Sequence, residues 1–139
     1  MEHGILSFDI VTQKFHRYVD VGCNVIRSLS CNGEDMLYVG TDGNGAYCIS
    51  TKQNKVVRSF RHKPEVEGIR SNSVYSFLVD RDGGIWFGLC QMGLDYVVRQ
   101  NDLFSIYKTS YFTSKDIPVR TIYVGKEDKL IGSRDGLFY

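Results

Sequence analysis

Short apolar runs alternate with polar, turn-rich segments along this chain. From Ser71 to Val97 the order is apolar, turn, apolar, turn, apolar: SNSVYSFLVDRDGGIWFGLCQMGLDYV. The same signature stands 48 residues upstream, where Ile26-Arg27-Ser28-Leu29 matches Val74-Tyr75-Ser76-Phe77 and Leu37-Tyr38-Val39-Gly40 matches Ile85-Trp86-Phe87-Gly88. It stands again about 45 residues downstream, as Val119-Arg120-Thr121-Ile122 and Lys129-Leu130-Ile131-Gly132. A glycine and an apolar residue close each copy: Gly45-Ala46, Gly93-Leu94 and Gly136-Leu137. Gly4-Ile5, 41 residues before Gly45-Ala46, belongs to a partial copy at the start. Self-similarity at a period of about 40–50 residues marks a repeat architecture.

The apolar runs are about four to seven residues long and rich in Val, Ile, Tyr and Phe, as strands are. Turn chemistry separates them at Cys31-Asn32-Gly33-Glu34-Asp35, Asp80-Arg81-Asp82-Gly83-Gly84 and Gly125-Lys126-Glu127-Asp128, which reads as hairpins. No stretch has a 3.6-residue period, so helical repeats are excluded. In the second full unit the spacing predicts strands over about 73–80, 84–89, 93–98 and 103–108. Four antiparallel strands per repeat make a β-propeller blade. The runs Leu37-Tyr38-Val39 and Ile85-Trp86-Phe87 are continuously apolar, which suits a strand covered on both faces. Ser28, Ser76 and Thr121 are small at the place where inner strands would crowd near an axis. The expected fold is all-β: one partial β-propeller segment over 1–139, of about three four-stranded antiparallel blades. Residues 1–20 supply the outer strands of one blade, 24–62 and 72–108 are full blades, and 118–139 are a partial blade.

At 139 residues the chain is long enough for one domain with a packed core, and 42% of it is apolar. A net charge of +1 with interspersed signs argues against a nucleic-acid surface. The densest basic stretch, Arg58 to Lys63, is followed by Glu65 and Glu67 and reads as a solvated loop. No apolar run approaches a membrane span, so no direct membrane insertion is expected. Nor does a secretory leader precede the first strand, so the chain alone would be cytoplasmic. Cys23, Cys31, Cys48 and Cys90 have neither zinc-like nor disulfide-framework spacing and are expected to be free thiols, with Cys48 a small core residue.

The stretch VYSFLVDRDGGIWFGLCQMGLDYV resembles the two-component regulator propeller repeat, roughly V-x-s-I-x-x-D-x-x-G-x-I/L-W-I/F-G-T, a short turn, then G-L. Val74, Ser76, Phe77, Asp80, Gly83, Ile85, Trp86, Gly88, Gly93 and Leu94 match it. Leu89 stands where that repeat has threonine, which the first full copy keeps as Thr41; the last copy has Leu130 in place of the tryptophan. The resemblance implies the extracytoplasmic sensor half of a bacterial hybrid two-component regulator, periplasmic and membrane-anchored, often tuned to polysaccharide fragments. In such proteins two propellers precede a β-sandwich, a membrane helix, a kinase and a DNA-binding regulator.

About three blades cannot close a ring of four to eight. Either the segment belongs to a longer sensor chain, or it is a stand-alone protein-interaction module that assembles through its blade edges, two copies joining head to tail with the last inner strands of one meeting the first outer strands of the other. Gly136-Leu137-Phe138-Tyr139 and Gly4-Ile5-Leu6-Ser7 would then compete for one strand place.

Catalytic constellations are thin, and no enzyme, cofactor or metal is expected. His3, His16 and His62 read as surface residues, and Asp80-Arg81-Asp82-Gly83 as a hairpin turn lacking the spacing of an EF-hand. Gly40-Thr41-Asp42-Gly43-Asn44-Gly45 is glycine-rich without the lysine of a phosphate loop. A propeller glycosidase or lyase would need paired carboxylates, and Asp42 and Asp135 come from different blades without evident partners. A ligand would meet the face where the second-to-third-strand loops and the inner-strand starts converge. The loops carry Asp42, Asn44, Gln91, Arg134 and Asp135; the strand starts carry Arg27, Asn72, Tyr75 and Arg120. Arg27, Tyr75 and Arg120 share one repeat position and are expected to ring a central mouth. Arginine and tyrosine there suit an acidic or sugar ligand, an oligosaccharide in particular; the plainer reading is a solvated channel. Trp86, inside an apolar strand, is expected in the core rather than as a sugar platform.

Overall fold

The computed structural model describes residues 4–22, 25–31, 33, 35–65, 68–98, 104–108 and 115–139. His3, Cys23 and the expected strand start at Leu103 lie outside the described residues. The described residues form strands and turns without a helix.

Four antiparallel sheets follow one another along the chain. The first pairs β1 (Leu6–Asp9) with β2 (Lys14–Arg17). The second runs β3 (Ile26–Cys31), β4 (Met36–Thr41), β5 (Ala46–Ser50), β6 (Lys55–Phe60), each strand beside the next. The third repeats this as β7 (Val74–Val79), β8 (Ile85–Leu89), β9 (Gly93–Val97), β10 (Phe104–Tyr107). The fourth holds β11 (Val119–Val124), β12 (Lys129–Ser133) and β13 (Gly136–Phe138). Within each sheet consecutive strands lie side by side and antiparallel, the up-and-down order of a propeller blade. The all-β partial propeller expected from the repeat is the fold observed.

Alternation within the middle strands explains why they read as unbroken apolar runs. In β4, Val39 and Leu37 pack with Ile5 and Val21, which flank the first sheet, and with Tyr47 and Ile49. Tyr38 and Met36 face the third sheet. In β8, Ile85, Phe87 and Leu89 point back to the second sheet, whereas Trp86 points on to Val119 and Ile122 of the fourth. The middle strands of the second and third sheets therefore bury both faces, and the core is a series of layers between blades rather than one central cluster. The densest layer is aromatic: Phe77 stacks on Phe87 at 5.0 Å between centroids, and Phe60 and Tyr38 meet Phe77 edge-on at 6.1 and 5.4 Å. Such pairs add to the stabilisation from area burial alone.

Inner strands approach closely because small residues face glycine. Ser28 lies opposite Gly40, Ser76 opposite Gly88 and Thr121 opposite Gly132. A Cβ on Gly88 would sit 2.0 Å from Ser76 Oγ and 2.8 Å from Val119 Cγ1. Polar bonds also tie blade to blade. The Ser30 hydroxyl donates to the Phe77 carbonyl at 2.9 Å. The amides of Gly43 and Gly45 both donate to the Asn72 carbonyl, at 3.0 and 2.8 Å.

Two sequence expectations need correction. Arg58 to Lys63 is not a free loop. Arg58, Ser59 and Phe60 end β6, Arg61 donates to the Tyr47 hydroxyl at 2.7 Å, and the His62 amide donates to Asn72 Oδ1 at 2.8 Å. The second correction is Asp42, which has partners, as described below. Cys31, Cys48 and Cys90 are free thiols. Cys48 is buried, and burial pushes its thiol up to about 11. Trp86 is a core residue, 6% exposed, whose indole N–H donates to Asp80 Oδ2 at 2.9 Å.

One inner-strand position exposes the limits of the segment. Leu29, Phe77 and Ile122 are equivalent in the repeat, opposite Val39, Phe87 and Ile131. Phe77 and Ile122 are 3% and 7% exposed, but Leu29 is 54% exposed. Among the described residues the preceding blade consists of β1 and β2, the equivalents of outer strands, and no inner pair there covers Leu29.

Candidate functional site

The inner strands β3, β7 and β11 each carry one extra residue near their start. Ile26 pairs with Thr41 and Ser28 with Gly40, which leaves Arg27 unpaired between them. Val74 pairs with Leu89 and Ser76 with Gly88, leaving Tyr75. Val119 pairs with Ser133 and Thr121 with Gly132, leaving Arg120. These are three β-bulges at one repeat position, and a bulge re-aims the side chain it carries. They bring the three residues together: the Arg27 guanidinium lies 4.8 Å from the Tyr75 ring centroid and the Arg120 guanidinium 5.5 Å from it. Tyr75 is thus held by two cations over its π-system.

A second ring of positions faces the first. Asp42, Cys90 and Arg134 each directly follow the residue paired with the first residue of the inner strand, namely Thr41, Leu89 and Ser133. In the first of these blades Arg27 binds Asp42, with Nε donating to Oδ2 at 3.0 Å and the terminal nitrogen also bonded. Asp42 Oδ1 accepts the Ser73 hydroxyl of the next blade at 2.7 Å. The bond from Arg27, then that from Ser73, holds the Asp42 carboxyl below the usual carboxylate range. In the next blade the corresponding residues are Tyr75 and Cys90, and the Cys90 side chain is the chief cause that raises the Tyr75 pKa. In the last blade the corresponding residues are both arginines, Arg120 and Arg134, and both are exposed.

The remaining expected residues divide. The Asn44 side chain donates to the Val21 carbonyl at 2.7 Å, and the Asn44 backbone carbonyl accepts the Tyr47 hydroxyl at 2.9 Å. Asn72 gives its side-chain oxygen to the His62 amide and its carbonyl to the Gly43 and Gly45 amides. Both shape the loops around the mouth. Gln91 is exposed at a loop tip in a left-handed conformation, φ 59°. Asp135 donates its amide to Ser133 Oγ at 3.0 Å within the β12–β13 turn.

The sequence reading missed the Arg70 clamp. Arg70, in the connection from β6 to β7, donates through its amide and Nε to the two oxygens of Asp95 at 2.8 and 2.6 Å. It also donates to the Met92 and Leu94 carbonyls at 2.5 and 3.2 Å. Asp95 is fully buried in β9; burial raises its carboxyl pKa and the Arg70 bonds hold back part of that rise. The signal was a charged residue inside the apolar run Gly-Leu-Asp-Tyr-Val, because a buried carboxylate requires a partner. At the opposite end of the blades, the β7–β8 turn and β6 border a cleft of about 450 Å³ floored by Met36, Tyr38 and Ile85. Among the described residues no group of three His, Cys, Asp or Glu side chains could hold a metal ion.

Residues 68–90 match the two component regulator propeller family. No curated protein matches the chain. Among solved structures, the extracellular domain of a candidate one component system from B. thetaiotaomicron is 22% identical, with a TM-score of 0.75. That match covers 95% of this chain and 17% of the other. A further structure of that domain, named as part of a hybrid two component system, is 21% identical over the same shares, with a TM-score of 0.76. The extracellular domain of another candidate hybrid two component system from that organism is 28% identical, with a TM-score of 0.62, over 82% of this chain and 14% of the other. The chain spans about one sixth of the length of these relatives. Residues 68–90 thus match the two component regulator propeller repeat, and the chain has the fold of these extracellular domains.

Proposed function

We propose that the chain is a non-catalytic ligand-sensing segment of a bacterial two-component sensor, acting on the periplasmic side as part of a membrane-anchored protein, with oligosaccharides as its ligands. The observation that carries this reading is the convergence of three bulged side chains, Arg27, Tyr75 and Arg120, on one mouth. Bulges at equivalent positions favour a built surface over a plain solvated channel, since blade packing alone does not require them. Guanidinium groups and a tyrosine supply the hydrogen-bond donors and the flat face that sugar hydroxyls and ring C–H groups need. An enzyme is disfavoured because the two acids of the mouth loops do not pair with each other: Asp42 is held by Arg27 and Ser73, and Asp135 stands in another blade. Calorimetric titration with a panel of plant and host oligosaccharides tests the reading. At least one is expected to bind and to lose binding in Tyr75→Ala; a panel without any binder, or one indifferent to Tyr75→Ala, contradicts it.

A second reading, assembly through blade edges, is favoured by the uncovered Leu29 face. An inner hairpin supplied by a second copy, or by the remainder of a longer chain, would cover it. Light scattering over a concentration series separates the cases. A species near twice 15.9 kDa supports head-to-tail pairing, and a monomer at every concentration assigns the face to a longer chain.

A further inference from the structure

The paired positions around the mouth differ from blade to blade in one respect that selects a ligand. Each bulged residue is matched by a loop residue: Arg27 with Asp42, Tyr75 with Cys90, Arg120 with Arg134. The first pair is internally neutralised by an ion pair in which two guanidinium nitrogens meet one carboxylate oxygen. The second sets a tyrosine and a cysteine at these positions. The third sets two exposed cations at the positions where the first blade sets an arginine and an aspartate. Neither Arg120 nor Arg134 has an acidic partner among the described residues. Asp135, next in the loop, is also without an ion pair there, and its amide serves the turn. Arg120 is nonetheless oriented inward, over the Tyr75 ring. Resting on the reading of the mouth as an oligosaccharide site, we propose that Arg120 and Arg134 take the acid group of an acidic sugar, a carboxylate or sulfate. The anion stands in for the aspartate that this blade lacks.

The chemistry fits the residue type. Guanidinium groups present planar forks of donors that match carboxylate and sulfate oxygens, and each such bond is stronger than its neutral counterpart. Tyr75 then borders the sugar ring, and the Arg27–Asp42 pair supplies polar groups on the far side. Selectivity for acids follows, because a neutral sugar leaves the two cations uncompensated.

Titrate the 139-residue chain with trigalacturonate, a sulfated disaccharide, a neutral galactotriose and sodium sulfate, at low and moderate salt. Compare wild type with Arg120→Gln, Arg134→Gln and, as a control on the opposite end of the blades, Arg81→Gln. Melting curves establish that each variant is folded. An acidic sugar is expected to bind at least tenfold tighter than the neutral trimer, more weakly at higher salt, and tenfold or more weaker in either mouth variant. Arg81→Gln should bind as wild type does. Equal binding of neutral and acidic sugars, lost in Tyr75→Ala but unaffected by the two glutamine variants, overturns this inference and leaves the mouth in place. Sulfate alone binding as tightly as the acidic sugars overturns the sugar part and leaves an anion site. Absence of binding by both acidic probes overturns it as well. Sugar binding that no mouth variant alters overturns both this inference and the reading beneath it.

Discussion

Truncating the same repeat position in two blades should have unequal consequences. Phe77 is 3% exposed and touches the rings of Phe87, Phe60 and Tyr38 between the second and third sheets. Phe77→Ala removes a buried aromatic ring and leaves a cavity whose walls are β-strands that cannot collapse freely, at a cost of about 3–5 kcal/mol. Leu29 is 54% exposed. Its burial is worth about half of the ~1.5–3 kcal/mol of a fully buried leucine, so Leu29→Ala should cost about 1 kcal/mol. Urea unfolding followed by the fluorescence of Trp86, the single tryptophan, reads both. With a slope of roughly 1.5 kcal/mol per molar, the midpoint falls by about 2–3 M for Phe77→Ala and by about 0.7 M for Leu29→Ala. Where Phe77→Ala exceeds the total stability, Phe77→Leu keeps the comparison open at about 1–2 kcal/mol. Equal losses at the two positions would refute the reasoning, because Leu29 would then be covered in solution.

Three further outcomes follow from the same packing. Gly88→Ala forces a methyl group against Ser76 Oγ and Val119; a loss of about 1–3 kcal/mol is expected, partly restored by adding Ser76→Gly, and a neutral effect in urea unfolding would show that the blades do not approach this closely. Asp42 has a folded pKa below its ordinary 3.8, chiefly through Arg27, so its contribution is present above that value and is lost as pH falls through the lower, folded one; Asp42→Asn should flatten the acid limb of stability below about pH 4, and an unchanged limb would remove the Arg27–Asp42 pair from the account. In alkylation at pH 8 read by peptide mass mapping, exposed Cys31 should react first and Cys48, buried with its thiol raised to about 11, only as the chain unfolds; equal rates would mean that the layer between the second and third sheets is open.

Much of the fold was legible because a blade buries its middle strands on both sides. That requirement wrote Leu37-Tyr38-Val39 and Ile85-Trp86-Phe87 as unbroken apolar runs. The small residues Ser28, Ser76 and Thr121 were read as crowding at an axis; the physical partner is the glycine directly opposite on the next strand. The Asp80–Trp86 bond was present in the spacing of the repeat, an aspartate six residues before the indole it binds. The mouth was legible only in outline. Equivalence in the repeat put Arg27, Tyr75 and Arg120 together, but a bulge is a property of two strands in register and leaves no mark on one. Asn44 and Asn72 looked like ligand groups because loop asparagines have free amide chemistry; here those amides are spent on the Val21 carbonyl and the His62 amide. The Arg70–Asp95 pair spans 25 residues and two elements, a distance that local pattern does not reach.

The most direct test of the account maps binding onto the blades. Nitrogen-labelled chain would be titrated with pooled acidic and neutral oligosaccharides, with backbone and arginine side-chain resonances followed by NMR. Shifts concentrated at Arg27, Asp42, Tyr75, Arg120 and Arg134 are the predicted result. Shifts confined to the cleft around Met36, Tyr38 and Ile85, or spread evenly over the blades, would contradict the assignment of the mouth as the sensing surface.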